Sequence, residues 1–391
     1  MERDVHYSEA LSSSTSTSPS APTDHNTLTF NAKVGGKYFI ISSQVCNIDG
    51  TSSQATVLLT DISLEIQATS LVTQHDATNY HSFGQFAYFN YDTLGGSRSF
   101  AVSHKPGSSG RTTTMKESRL MAIEEHADDE VYRATDELST SSTSFVDKGS
   151  VTLNPSGTVD YLILAFANAN IDVGSRPLDI QMYDGTTAYD VQKIRMQETT
   201  DWTPYNAAFK LSGVSGSVTV SLQIKVNNAA DIGKVREVMI VAMPLNTFAA
   251  DYYAEQLTRQ TTNSASYVTA LSLTSTPAAA DHLVFGVATL DGGNVFSNDC
   301  IFDDDGTAKL NALVEPSIDS GNADYSVFYC AKETYAAASR TWAWKHLKSG
   351  AGVGPVGLDD ISIAVLELAV PVTTTWIKGN VWIKGNTALN P

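Results

Sequence analysis

The sequence predicts an all-β protein of three tandem β-sandwiches, of plain sandwich or jelly-roll type, joined by short helical connectors and ending in a short tail. The first observation behind this is the stretch Asp160–Asn170, a run of branched, aromatic and small apolar residues. It lies between the turn signal Asn154-Pro155-Ser156-Gly157 and Gly174. Such a run reads as a strand buried on both faces. The second observation is recurrence. Lys37–Val45 and Asp281–Ala288 follow the same order of charge, ring, four apolar positions and small residues, and Tyr38, Tyr161 and His282 stand 123 and 121 residues apart. The third is Val218–Val226, where apolar and polar residues alternate strictly, the pattern of a half-buried strand. No long segment carries a 3.6-residue period.

Taken in order, residues 1–18 read as an arm and 19–124 as the first sandwich. A connector follows over 125–138, the second sandwich over 139–245, another connector over 246–262, and the third sandwich over 263–370. Residues 371–391 form a tail. Within the first unit the predicted strands are Leu28–Phe30, Lys37–Val45, Val57–Leu59, Tyr80–Phe89, Ser99–Ser103 and Ser118–Ile123. The second matches with Ser150–Leu153, Asp160–Ala167, Ile180–Gly185, Trp202–Leu211, Val218–Val226 and Glu237–Met243. The third matches with Ala270–Leu273, Asp281–Ala288, Cys300–Asp303, Tyr325–Cys330, Thr341–Lys345 and Asp360–Leu368. Each unit is preceded by a Tyr and a Leu flanking a polar, helix-tolerant stretch, then a Ser/Thr run. Tyr132–Leu138 and Phe248–Gln260 are accordingly read as helical turns, and each unit as holding its own core.

Composition narrows the function classes. Of 391 residues 42% are hydrophobic and only 17% charged, with a net charge of -17. That acidity argues against nucleic acid as a partner, because phosphate binding needs a basic footprint. No apolar run approaches the roughly 18 residues that span a bilayer. Met1-Glu2-Arg3-Asp4 leads into no apolar signal segment. Cys46, Cys300 and Cys330 are too few and too unevenly spread for a disulfide framework and read as small core residues. The expectation is a chain made in a reducing cytosol.

Catalytic grammar is thin. There is no G-x-S-x-G elbow, P-loop, strand-linked G-x-G-x-x-G, H-E-x-x-H or C-x-x-C. Among the histidines, only His75 and His81 stand close enough to suggest a metal pair. Asp303-Asp304-Asp305-Gly306 is the densest polar cluster. It fails as an EF-hand, since Ile301 and Ala312 occupy ligand positions. A Ca²⁺ held by these carboxylates and a plain Asp-Gly turn are the two readings. Trp342 and Trp344 point to one face because they are two apart on a strand. They read as core packing or, with Trp202 and Tyr205, as a glycan-stacking platform. The tail holds the near-duplicate hexapeptides Thr375–Asn380 and Val381–Asn386. Trp376, Lys378, Trp382 and Lys384 there are read as an interface segment, with packing on the chain's own third unit as the alternative.

Three Ser/Thr-rich sandwiches in tandem, each closing with a strand such as Glu117–Ile123, resemble the virion structural proteins of tailed bacteriophages. The resemblance is one of architecture over residues 5–371. It implies a non-enzymatic capsid decoration, fibre or tail-associated component, assembled in the host cytoplasm and located on the virion. Its partners would be copies of itself and other virion proteins, with a host-surface glycan as a further ligand. Other readings are a glycan-binding receptor module and an extracellular filament subunit joined by strand exchange.

Overall fold

The computed structural model describes residues 3–49, 53–61, 65–74, 80–91, 96–173, 176–195, 202–291, 297–314, 324–349 and 355–369. The first unit runs β1 (Val5–Ala10), β2 (Ser14–Ser16), β3 (Thr23–Ala32), β4 (Lys37–Ile48), β5 (Ser53–Asp61), β6 (Glu65–Gln74), β7 (His81–Asn90), β8 (Gly96–Pro106) and β9 (Thr113–Glu124). The second runs β10 (Glu130–Ala134), β11 (Leu138–Thr140), β12 (Val146–Leu153), β13 (Val159–Ile171), β14 (Pro177–Tyr183), β15 (Ala188–Arg195), β16 (Thr203–Val214), β17 (Val218–Val226) and β18 (Gly233–Pro244). The third runs β19 (Ala250–Gln256), β20 (Gln260–Thr262), β21 (Val268–Ser275), β22 (Ala280–Asp291), β23 (Ser297–Asp304), β24 (Thr307–Val314), β25 (Asp324–Tyr335), β26 (Arg340–Ser349) and β27 (Val356–Glu367).

Strand order identifies the fold of each unit. In the first, one sheet reads β1-β9-β4-β7, with β2 also on β9, and the other reads β3-β8-β5-β6. The second repeats this as β10-β18-β13-β16, with β11 on β18, over β12-β17-β14-β15. The third gives β19-β27-β22-β25, with β20 on β27, over β21-β26-β23-β24. Counting the split first strand once leaves eight strands, paired 1-8-3-6 over 2-7-4-5. That is the jelly-roll order.

The helical connectors are corrected. Tyr132 lies on β10 and Leu138 on β11, both paired to β18. Residues 250–256 and 260–262 pair with β27. The only helical piece among the described residues is one 3-10 turn, Leu245–Thr247. Helix tolerance is a weak local preference, and an adjacent strand with unpaired backbone groups overrides it. The N-terminal arm behaves alike, since β1 and β2 lie against β9.

The independence of the three cores is the second correction. Side chains of β13 alternate between two environments. Ile163, Ala165 and Ala167 belong to the second unit's own sandwich core. Leu162, Leu164 and Phe166 face the other way, into a cluster with Phe39, Ile41 and Phe86 of the first unit and Leu283, Phe285 and Phe328 of the third. β22 alternates likewise, with Val284 and Ala288 in the third unit's own core. The long apolar strands are buried on both faces because one face packs on the opposite sheet and the other on neighbouring units. One core crosses all three units.

Candidate functional site

The place where the three units meet is built from strand edges. β7, β16 and β25 end their sheets, so each presents a row of unpaired N–H and C=O groups, a template for unwanted pairing. Each edge is plugged by side chains of the next unit. The Asn206 carboxamide meets β7: Gly84 N–H donates to Asn206 Oδ1 (2.9 Å) and Asn206 Nδ2 donates to the Gly84 carbonyl (3.3 Å). Ser326 meets β16, its Oγ accepting from Asn206 N–H (3.0 Å) and donating to the Pro204 carbonyl (3.3 Å). Ser82 and Ser43 meet β25, the first donating to the Phe328 carbonyl (3.2 Å) and the second accepting from Cys330 N–H (3.4 Å). Second unit caps first, third caps second, and first caps third. The ring is closed.

Gly84, Asn206 and Phe328 occupy corresponding places, each 122 residues from the last. They differ in size because they share one small space. A Cβ on Gly84 would lie 2.5 Å from Phe328 Cδ1 and 3.0 Å from Asn206 Nδ2. Phe328 packs on Phe86 with ring centroids 5.3 Å apart, and Phe86 stacks on Phe166 at 5.8 Å.

Charged contacts fasten the seams. Arg3 is buried and makes a bidentate pair with Asp129 (2.6 Å to each oxygen) while donating to Thr247 Oγ1 (2.9 Å). Its guanidinium also lies over Phe248, at 4.7 Å. The start of the chain is thereby tied to both inter-unit crossings. Between third and first units, the buried Arg119 donates to the Lys309 carbonyl and stacks on Tyr329.

The sequence-predicted site residues lie elsewhere. Trp342 and Trp344 are fully buried in the third unit's core, with indole N–H groups bonded to Tyr335 OH (3.0 Å) and the Ser362 carbonyl (3.0 Å). Neither offers a face to a sugar. Tyr205 is buried too, and Trp202 is covered by Arg236 at 4.1 Å. The aspartates do not converge. Asp303 accepts from Gly306 N–H (2.9 Å) and pairs with Lys345 (3.1 Å), whereas Asp304 binds Arg340 (2.7 Å) and Tyr335 OH (3.1 Å). Asp305 and Gly306 both have positive φ, 54° and 84°, as a type I′ hairpin turn requires. Among the described residues no three His, Cys, Asp or Glu side chains are grouped to hold a metal. His81 is buried against Tyr325, and His75 lies outside the described residues, as do Trp376, Lys378, Trp382 and Lys384. The three thiols are buried and form no disulfide, and burial pushes Cys46 and Cys330 up to about 12.

One constellation had no signature in the sequence. Ser14 Oγ lies 2.7 Å from His25 Nδ1 and 2.9 Å from His104 Nε2. His104 Nδ1 reaches Thr113 Oγ1 (2.9 Å), and His25 Nε2 reaches the Ala10 carbonyl (3.3 Å). With both rings neutral, one self-consistent assignment runs Thr113 O–H to His104, His104 N–H to Ser14, Ser14 O–H to His25 and His25 N–H to Ala10. Every ring nitrogen is used internally. The set therefore acts as a clasp holding β2 on β3, β8 and β9 and leaves no base free for a substrate.

No protein-family model matches the chain, and no curated protein matches it. Solved structures with detectable likeness include a recombinant N-glycanase F (PNGase F), at 9% identity over 63% of this chain and 97% of that one, TM-score 0.33. Another is described as the triple jelly roll fold and turret assembly in an archaeal virus, at 11% over 88% and 83%, TM-score 0.20. A third is the N-terminal CBM22-1-CBM22-2 tandem domain of Paenibacillus barcinonensis Xyn10C, at 12% over 60% and 92%, TM-score 0.17. Likeness at these scores carries no argument about activity. The strand order establishes the jelly-roll fold by itself.

Proposed function

We propose that the chain is a non-enzymatic structural protein of a virion, of the capsid-decoration, fibre or tail-associated kind found in tailed phages. The observation that supports this is the closed ring. Three jelly rolls cap one another's edge strands around a shared apolar centre, giving a rigid block with a threefold-like cross-section from a single chain. A block of that kind suits a symmetric particle, where shape and fixed edges matter more than a cleft. The described polar clusters serve the fold: Asp303 and Asp304 are balanced by Lys345 and Arg340, and the histidine clasp is internally satisfied.

The test is location. An antibody against the purified chain is followed through density-gradient fractions of lysate from cells that produce it. Co-migration with nucleic-acid-containing particles, and gold labelling of their surface, supports the reading; recovery only as free protein overturns it. In the same reading, residues 372–391 dock on a neighbouring copy, with Trp376 and Trp382 as anchors and Lys378 and Lys384 matched to its acidic surface. Truncation after Pro371 should then reduce the assembled mass. A truncated chain that keeps the full-length mass but melts lower would place the tail on its own chain instead.

A further inference from the structure

The interior of the first sandwich differs from the other two at one place. Along β4 the side chains alternate. Ser43 meets Cys330 and Val45 joins the third unit's core, so Ser42 and Gln44 point the other way, between their own two sheets. Register sets Ser42 opposite Gln85 on β7, and Gln44 opposite Ser118 on β9. All four residues are fully buried. Ser42 Oγ donates to the Gln85 carbonyl at 3.2 Å, and Gln85 Nε2 crosses to the Val57 carbonyl of β5 at 3.1 Å. Gln44 and Ser118 have nothing of the kind. Among the described residues no protein group is hydrogen-bonded to either end of the Gln44 carboxamide or to the Ser118 hydroxyl. Exchanging O and N of the carboxamide changes nothing, because both ends are bare.

The sister units fill the same place with hydrocarbon. Counting from Tyr38, Tyr161 and His282, the positions of Ser42 and Gln44 are taken by Ala165 and Ala167 in the second unit and by Gly286 and Ala288 in the third. Ala207 and Tyr329 pair where Gln85 does. Val238 and Ile361 stand where Ser118 does, each two residues before the partner of Ala165 or Gly286. Ala165, Ala167, Ala207 and Val238 belong to the second unit's core, and Ala288, Tyr329 and Ile361 to the third's. The fold therefore closes on apolar side chains here without difficulty. The first unit alone sets a carboxamide across from a hydroxyl.

A buried polar group without a partner is costly, and a carboxamide has two N–H donors and two acceptor lone pairs to satisfy. Three properties of the missing partner follow. It is neutral, because Ser42, Gln44, Gln85 and Ser118 carry no charge to balance a buried ion. It both donates and accepts, because the carboxamide offers both. It is small, because residues directly opposite on antiparallel strands have Cβ atoms only about 4.5–5.5 Å apart. Water has all three. We infer that the first sandwich holds an internal water site, at which at least one water bridges the Gln44 carboxamide and the Ser118 hydroxyl. Asn26 Nδ2 donates to the Ser118 carbonyl at 3.2 Å and fixes that side of the site. The water leaves only when β4, β5 and β9 part, so it exchanges slowly with bulk. This rests on the fold of the first unit and stands apart from the virion reading.

The experiment is a crystal structure of the full chain at a resolution that shows ordered water. A water should lie within about 2.7–3.2 Å of both the Gln44 carboxamide and Ser118 Oγ, with none at the place of Ala167 and Val238. In solution, magnetic relaxation dispersion of water counts the long-lived internal molecules. Gln44→Leu combined with Ser118→Val should lose at least one of them relative to the native chain. A Gln44 side chain bonded directly to Ser118 or to other protein groups, with no water beside it, overturns the site, and this holds whether or not the variant folds. So does an equal count of long-lived waters in the native chain and the folded variant. A water found equally beside Ala167 and Val238 overturns it too, since the site would then owe nothing to its polar side chains.

Discussion

Replacing Phe328 by Ala tests whether the three units unfold as one. The ring is fully buried, sits 5.3 Å from Phe86, and fills the space left by Gly84. Truncating a buried Phe costs about 3–5 kcal/mol, more when neighbours cannot move in. Gly84 has no side chain with which to fill the void, and Asn206 is held by two backbone bonds, so about 4 kcal/mol or more is expected. Unfolding entropy near 60 °C is about 2.1 cal/mol/K per residue, so for 391 residues melting together it is about 0.8 kcal/mol/K. The variant should then melt about 5 °C lower in one transition. Were the third unit, of about 120 residues, to melt alone, the same loss would shift its own transition by about 16 °C and leave the others in place. Differential scanning calorimetry distinguishes the two. A split endotherm with one component displaced by the larger amount would refute the shared core.

Gly84→Ala should destabilise by about 1–3 kcal/mol through overpacking, since its Cβ would stand 2.5 Å from a ring atom that is itself walled in; denaturant midpoints with an unchanged m value check this. Asp129→Ala leaves the buried Arg3 guanidinium without its bidentate partner, and a loss of about 3–5 kcal/mol is expected, larger than for Arg3 and Asp129 replaced together. Acid should undo the clasp at β2. Burial lowers the His25 ring from its ordinary 6.5 and His104 to about 4, so the folded state takes up protons less readily than the unfolded one and stability falls as pH drops from 6.5 toward 4. His104→Gln should flatten that dependence, and melting temperatures across the range measure it.

The all-β class was legible because β-strand periodicity is local: Val218–Val226 alternates, and it forms β17 over the same residues. The connectors were not, because Tyr132–Leu138 and Phe248–Gln260 have no strong local preference and take strand geometry only from β18 and β27. The ring left a trace that a single sandwich does not explain. An antiparallel sheet with one solvated face should read apolar and polar in turn, yet Leu162, Leu164 and Phe166 are as apolar as Ile163 and Ala165. That second apolar face is the ring interior. Its key positions stayed hidden because Gly84, Asn206 and Phe328 share no chemical type. The spacing of Trp342 and Trp344 placed both on one face, and of the two readings offered for that face the core is the one the structure shows.

The mixed residues at the centre follow from having three units in one chain. In a ring of three identical chains, one mutation changes all three copies of a position at once. Three phenylalanines at the places of Gly84, Asn206 and Phe328 would collide, and three glycines would leave the centre empty and the edge of β7 uncapped. A single chain lets each copy take a different share of one volume: Phe328 fills it, Gly84 yields to it, and Asn206 caps the strand that the glycine leaves bare. The seams diverged by the same freedom, so that Arg119 closes one with a guanidinium while Asp360 and Asp324 close another with carboxylates.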